Sequence, residues 1–313
     1  MMHYQWPQGG ISGSRLIYGC MNTGGSWEPG PADAATRRRA FAALDAAVAA
    51  GYTVFDHADI YSAGTSEELF GEWLAANPGL RDRLVLQSKC GIRLGDPVTY
   101  DLSADHVRRA VTGSLKRLRS DHLDILLFHR PDPLVEPDEL AAVVEELISA
   151  GLVRSVGVSN HSAGQIRLLQ ASLDRPLIAN QMQVSLAHPD LIVSGTAVNQ
   201  REPEHPLRNV ETMEYCRAQG ITLQAWSPLA KGRFSGNADD EASRLVRRLA
   251  AEHAVPPEAI AVAWLLRHPA PILPVIGSTT PERIRAAAAA AEVTLSREEW
   301  YRLLAAARGR QMP

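Results

Sequence analysis

Short apolar runs rich in β-branched residues and leucine alternate along the chain with longer amphipathic stretches, and that alternation sets the expected architecture. Strands are expected at Arg15–Gly19, Thr53–Asp56, Leu84–Ser88, Leu123–Phe128, Val153–Val158, Ile178–Asn180, Ile221–Ala225 and Ile272–Ile276. Helices are expected between and after them at Ala34–Ala50, Ser66–Ala76, Ala104–Leu118, Pro137–Ala150, Ala163–Ser172, Leu207–Gln219, Glu241–Glu252, Pro257–Leu266 and Pro281–Ala291. Ser103 suits an N-cap, and Gly151 and Gly220 suit helix ends. A Pro- and Gly-rich opening, Pro7 to Gly13, predicts a turn or small hairpin, and Ser296–Ala306 predicts an extra C-terminal helix. Eight strand–helix units with no break in composition predict an α/β fold of the (β/α)8 TIM barrel type, one domain over residues 1–313. A doubly wound dinucleotide fold is disfavoured, because no GxGxxG lies between a strand and a helix.

In such a barrel the strand ends converge on one face. Asp56, Lys89 and His129 each stand at or just past a strand end, and Tyr61 lies five residues beyond Asp56 in the same loop. A free tyrosine has a pKa of about 10, and a nearby ammonium favours its phenolate. Lys89 supplies that cation, Asp56 can pair with Lys89, and His129 adds a second polar group for hydrogen bonding or proton transfer. Tyr61 is then expected to protonate a carbonyl oxygen while hydride reaches the carbon. No side chain delivers hydride, so a nicotinamide or flavin is required. Two loops expected to be long, Ser185–Pro206 and Lys231–Asp240, fall on the same face.

Composition removes other classes. With 45% hydrophobic residues and a net charge of −3, the chain reads as a soluble globular enzyme with no nucleic-acid or membrane partner. Arg37, Arg38 and Arg39 read as a solvated helix face. Three scattered cysteines without metal-type spacing, and no apolar leader, fit a reducing cytoplasmic compartment. His57-Ala58-Asp59 looks like a fragment of a metal motif, but no further ligands complete it, so no metal is expected.

The motifs together resemble the aldo-keto reductase superfamily over essentially the whole chain. They are Phe55 to Tyr61 with Glu67 to Gly71 behind it, Ser88-Lys89-Cys90-Gly91, and His129-Arg130-Pro131-Asp132-Pro133 in the form of a bacterial oxidoreductase subgroup. Gly157 to Asn160, Asn180-Gln181, Ala225 to Leu229 and Pro274 to Ser278 follow in the family's order. The resemblance implies Tyr61 as general acid, Lys89 and Asp56 as its tuning pair and His129 as the pocket histidine. It implies an NADPH cofactor, with NADH possible. Ser159, Asn160 and Gln181 would bind the nicotinamide carboxamide and Trp226 would stack on the ring. Ser227, Pro228, Leu229, Gly232 and Arg233 would follow the pyrophosphate, and Gly19, Cys20 and Met21 would border the cofactor. Gly277, Ser278, Thr279 and Arg283 would meet the adenosine phosphate. There Thr280 can cap a helix that Pro281 opens, and Arg283 offers a fork suited to phosphate. The implied partner is a small carbonyl compound, and such barrels often act as monomers.

The chain departs from the pattern at Gly277, where many relatives have lysine, at Ala286 and Ala287, and in Gly19-Cys20-Met21-Asn22, which lacks an aromatic pocket wall. Taken singly, each site residue has an ordinary reading: Asp56 and Lys89 as a structural ion pair, Asn160 as a cap, Trp226 as core, Arg283 as surface. Three functions stand at this point: a carbonyl reductase, a nucleotide-binding redox-sensing subunit with little turnover, and a metal-dependent hydrolase that chelation would silence.

Overall fold

The computed structural model describes residues 2–196, 211–235 and 238–311. A hairpin of β1 (His3–Gln5) and β2 (Ser12–Ser14) precedes the first barrel strand, β3 (Ile17–Gly19), and its helix α1 (Ala34–Ala49). Then come β4 (Val54–Asp56) and α2 (Thr65–Ala76), followed by β5 (Val85–Cys90). A small hairpin, β6 (Ile92–Arg93) with β7 (Thr99–Tyr100), leads into α3 (Ala104–Leu118). Next are β8 (Leu123–Phe128), α4 (Pro137–Ser149), β9 (Val153–Ser159), α5 (Ala163–Gln170) and β10 (Leu177–Gln183). After β10 come a short α6 (Asp190–Val193) and α7 (Thr212–Ala218), then β11 (Thr222–Trp226), α8 (Glu241–Glu252) and α9 (Pro257–Leu266). The chain ends with β12 (Ile272–Ile276), α10 (Pro281–Ala288) and α11 (Arg297–Arg308).

Eight strands pair in parallel and close in the order β3, β4, β5, β8, β9, β10, β11, β12 and back to β3. This is the (β/α)8 barrel expected. The hairpin expected over Pro7–Gly13 is the turn of β1 and β2, and Trp6 and Ile11 from it pack with Ile17, Val54, Val85 and Ile125 into an inner apolar cluster. Burying a side chain of this class stabilises by roughly 1.5–3 kcal/mol. A second, larger cluster fills the space between the sheet and the helices.

Local signals explain the helix positions. Asp33, Ser103 and Asp240 accept backbone N–H groups at N-caps, while Ser162 and Ser296 form capping boxes with Gln165 and Glu299. Gly71 is required where α2 crosses α3: a Cβ there would lie 2.1 Å from the Arg117 carbonyl oxygen. α9 is buried all round, and α11 docks beside it through Trp264 and Trp300, whose rings stack at 5.2 Å and whose indole N–H groups donate to each other's carbonyls.

Some expectations shift. The strand expected at Ile178–Asn180 runs on to Gln183, and the helix expected to Ala291 ends at Ala288 in a tighter turn. The helix expected from Leu207 is seen from Thr212; residues 207–210 lie outside the described residues. The β6–β7 hairpin has no counterpart among the expected elements. The loops after β10 and β11 both leave the carboxyl-terminal face, the first carrying α6 in its described part. No helix among the described residues is long and apolar enough to cross a membrane.

Candidate active site

Side chains alternate between the two faces of a strand, so each barrel strand sends every second residue inward. Along β5 the inward row is Val85, Gln87 and Lys89; along β4, Val54 and Asp56; along β8, Ile125 and Leu127, with His129 next. The row is apolar at the amino end and polar at the carboxyl end. Strand register puts Asp56 beside Gln87 and Gln181 beside Gln224. The three glutamines close a belt across the barrel. Gln87 Nε2 donates to Gln224 Oε1 at 2.8 Å, Gln224 Nε2 to Gln87 Oε1 at 2.8 Å, and Gln181 Nε2 to Gln224 Oε1 at 2.9 Å. Gln87 and Gln181 also donate to Asp56 Oδ1, at 2.5 and 3.1 Å. Asp56 Oδ1 is thus held by two amides, which leaves Oδ2 for Lys89.

Lys89 has three N–H groups and three acceptors: Asp56 Oδ2 at 2.7 Å, the His57 carbonyl at 2.8 Å and Tyr61 Oη at 2.9 Å. Every proton of the buried ammonium is satisfied, which a charge at this depth requires. Burial works against that charge, but Asp56 and Tyr61 outweigh it and hold the Lys89 pKa above its ordinary value. Tyr61 is placed by a tight turn in which Ser62, Ala63 and Gly64 have φ of 49°, 53° and 96°. Left-handed backbone at non-glycine residues costs of order 1–3 kcal/mol each, and it recurs here at Asn160, Ser227, Ala230 and Lys231.

The expected lowering of the Tyr61 pKa is not what results. Burial raises it, Lys89 offsets only part of that rise, and the phenol lies above its usual range. Tyr61 is thus a protonated phenol whose oxygen accepts from Lys89. The His129 ring meets it edge-on, centroids 5.9 Å apart. Burial, then the charges of Lys89 and Arg130, pushes the His129 pKa well below the usual histidine range, so its ring is neutral.

These groups open onto a cavity of about 740 Å³. Asp56, Tyr61 and His129 line its floor, with Lys89 behind Tyr61. Gly19, Met21, Ser159, Asn160, Gln181 and Trp226 line its walls. Ser227, Pro228, Leu229 and Gly232 follow β11, and Gly277, Ser278, Thr279 and Arg283 surround the start of α10. Asn160 does not cap α5; Ser162 does. Instead Asn160 accepts from Trp226 Nε1 at 3.0 Å and donates to the His129 carbonyl and Ser159 Oγ, tying three strand ends together. Thr280 occupies the N-cap position of α10 without a side-chain cap, and Ser278 Oγ accepts its N–H instead. Cys20 and Arg233 lie outside the cavity lining: Cys20 is buried, and Arg233 pairs with Asp240 at 3.0 Å.

Sequence reasoning gave no site role to Gln87 and Gln224, nor to Asn22, Trp27, Ile60, Arg130 and Lys231, all five of which line the cavity together with Thr280, which was expected there only as a helix cap. Trp27 supplies the aromatic wall that Gly19 to Asn22 lacks, meeting Tyr61 edge-on at 6.3 Å. Among the described residues no cluster of His, Cys, Asp and Glu could hold a metal.

An eight-stranded parallel barrel with a lysine-held tyrosine and a neutral histidine at its mouth defines a class of barrel oxidoreductases. A model of the Aldo/keto reductase family matches residues 15–308, and the chain belongs to that family. A 6-dehydroglucose reductase from Agrobacterium fabrum is 35% identical over 306 residues, covering 96% of each chain. A second, from Novosphingobium aromaticivorans, is 38% identical over 292 residues, covering 90% of this chain and 88% of that one. Among solved structures, an aldo/keto reductase from Klebsiella pneumoniae in complex with NADP and acetate superposes with a TM-score of 0.77 at 25% identity, covering 96% of this chain and 93% of that one.

Proposed function

We propose that the protein reduces an aldehyde or ketone to an alcohol with NADPH, using Tyr61 as the general acid. The observation that carries this reading is the Lys89 coordination. With its oxygen accepting from the ammonium, the Tyr61 hydroxyl has its own proton left for a carbonyl oxygen in the cavity. The cavity fits a dinucleotide together with a small substrate. Trp226 offers a flat face in mid-cleft, and Arg283 with an uncapped helix start lies among the phosphate-side residues. When bound, NADPH supplies hydride to the carbonyl carbon.

Tyr61 gives its proton to the carbonyl oxygen as the alkoxide forms, and Lys89 stabilises the phenolate that remains. His129 Nδ1 is buried without a partner among the described residues, so its neutral ring serves best with the proton on Nε2, donating to the same oxygen. Ser159 and Gln181 hold one wall: Ser159 Oγ donates to the Gln181 carbonyl at 2.9 Å. Relatives named 6-dehydroglucose reductase put a sugar-derived aldehyde first among substrates to try.

The test is NADPH oxidation, followed by absorbance, over sugar aldehydes, aromatic and short aliphatic aldehydes, quinones and dicarbonyls. Turnover is expected in the wild type. Tyr61→Phe should lower kcat by about 10²–10⁴-fold and leave NADPH affinity unchanged, because only the acid is removed. Undiminished kcat in Tyr61→Phe would exclude its role.

A further inference from the structure

Among the described residues three cations line the cavity, Arg130, Lys231 and Arg283, against a single acid, Asp56, which Lys89 already neutralises. Lys231 stands on the loop after β11 and Arg283 in the first turn of α10, beside the residues assigned to the cofactor. Arg130 stands apart from them, directly after His129 at the end of β8.

Arg130 is half-buried as a residue, and its guanidinium makes no hydrogen bond or ion pair with any described residue. Among the described residues, the acid nearest in sequence, Asp132, and the neighbouring Asp101, which follows β7, are committed to other partners. Asp132 accepts from Leu102 N through Oδ2 and from Leu134 N through Oδ1, both at 2.8 Å. Asp101 accepts from Ser103 and from Arg93. A guanidinium lining a cavity without a partner among the described residues is free to bind, and its planar fork is matched by a carboxylate. The same cavity lining carries Met21, Trp27 and Ile60, with Trp27 meeting Tyr61 edge-on, a surface for a carbon skeleton rather than for a second anion.

We propose that Arg130 is a substrate-binding residue that selects carbonyl compounds carrying a carboxylate. Arg130 and His129 are adjacent in the chain, about 3.8 Å apart at Cα, so the acid and the carbonyl belong to one small molecule with a short spacer. The proposal rests on the reductase reading of the site.

The test compares aldehydes matched in shape and differing in charge: succinic semialdehyde against butyraldehyde, and 4-carboxybenzaldehyde against 4-methylbenzaldehyde. The wild type should favour the acid of each pair by about ten-fold or more in kcat/KM. Arg130→Gln should bring that ratio towards one, through the KM of the acid, and Arg130→Lys should retain part of it. NADPH affinity should stay where it was in both variants. A wild-type ratio near one, a ratio that Arg130→Gln leaves intact, or a loss that falls on NADPH affinity would each overturn the assignment. If NADPH binds and no aldehyde turns over, the reductase reading fails. Arg130 is then judged by tryptophan fluorescence with benzoate and benzyl alcohol, and equal benzoate affinity in wild type and Arg130→Gln would dispose of it too.

Discussion

Lys89 Nζ lies 2.7 Å from Asp56 Oδ2, with the two side chains 0% and 3% exposed. A pair so placed is more costly to break than to replace, because removing one partner strands the other charge in the barrel. Lys89→Met is therefore expected to destabilise by ~3–5 kcal/mol in urea unfolding. Adding Asp56→Asn should restore part of that loss, since the amide carries no charge to be stranded. A double variant that loses the plain sum of the two single effects would mean that the pair contributes no coupling.

With Tyr61 as the proposed acid, its protonation state sets the expected pH dependence of reduction. Burial carries its pKa above 10 despite Lys89, and His129 is held neutral well below 6.5. An acid donates only while protonated, and Tyr61 is protonated at every pH below its raised pKa. The kcat for carbonyl reduction should therefore stay flat from about pH 6 to 9 and fall only on the alkaline side. Alcohol oxidation needs the phenolate and should still be rising at the top of that range. A break in the reduction profile near pH 7 would show that another group controls the step.

The barrel was legible because each inward row begins apolar: Val54, Val85 and Ile125 mark their strands whatever follows. Asp56, Lys89 and His129 were legible because a titratable side chain at the end of such a run has few structural uses. The glutamines were not. Gln87 and Gln224 look like solvent-facing residues unless their partners on other strands are known, and 137 positions of sequence separate those two. The same blindness shortened β10, since Gln181 and Gln183 do not read as strand although Gln181 is buried. Trp27 was missed because it lies well past the strand end, and a loop's path across a pocket leaves no periodic trace. The Tyr61 pKa had the wrong expected sign because sequence shows the neighbouring cation but not the depth of burial.

Asp59 is the one acid near the site whose pKa is carried up to about 7, first by burial and then by the nearby carboxylate of Glu67, with Oδ1 unpartnered. In the unfolded chain its pKa returns to 3.8. A carboxyl raised on folding binds more protons in the native state, so its contribution is intact below pH 3.8 and is lost as pH rises to about 7. Asp59→Asn should leave stability at pH 4 nearly unchanged and raise it at pH 8 by a few kcal/mol at most, about 1.4 kcal/mol per pKa unit being the upper bound. Equal unfolding midpoints for the two proteins at pH 8 would show that Asp59 carries no such cost.

Arg283 tests the far end of the cleft. It is exposed, lines the cavity beside Ser278 and Thr279, and sits in the first turn of α10, where no side chain caps the helix. The neighbouring Arg285 pairs with Glu282 at 3.1 Å, whereas Arg283 has no ion-pair partner among the described residues. In the proposed reading, Arg283 is the cation at this helix start that would meet a 2′-phosphate. Removing a charge-assisted hydrogen bond at an exposed site costs about 1.5 kcal/mol, or roughly ten-fold in affinity. Arg283→Ala should raise the NADPH Kd by that factor and the NADH Kd less than about two-fold, since NADH has no group there to lose. The difference should shrink as salt rises, because both charges face solvent. Calorimetric titration of the two cofactors at two ionic strengths measures it. Equal weakening of both would assign Arg283 to the shared part of the nucleotide and leave the discrimination to Ser278, Thr279 and the helix terminus.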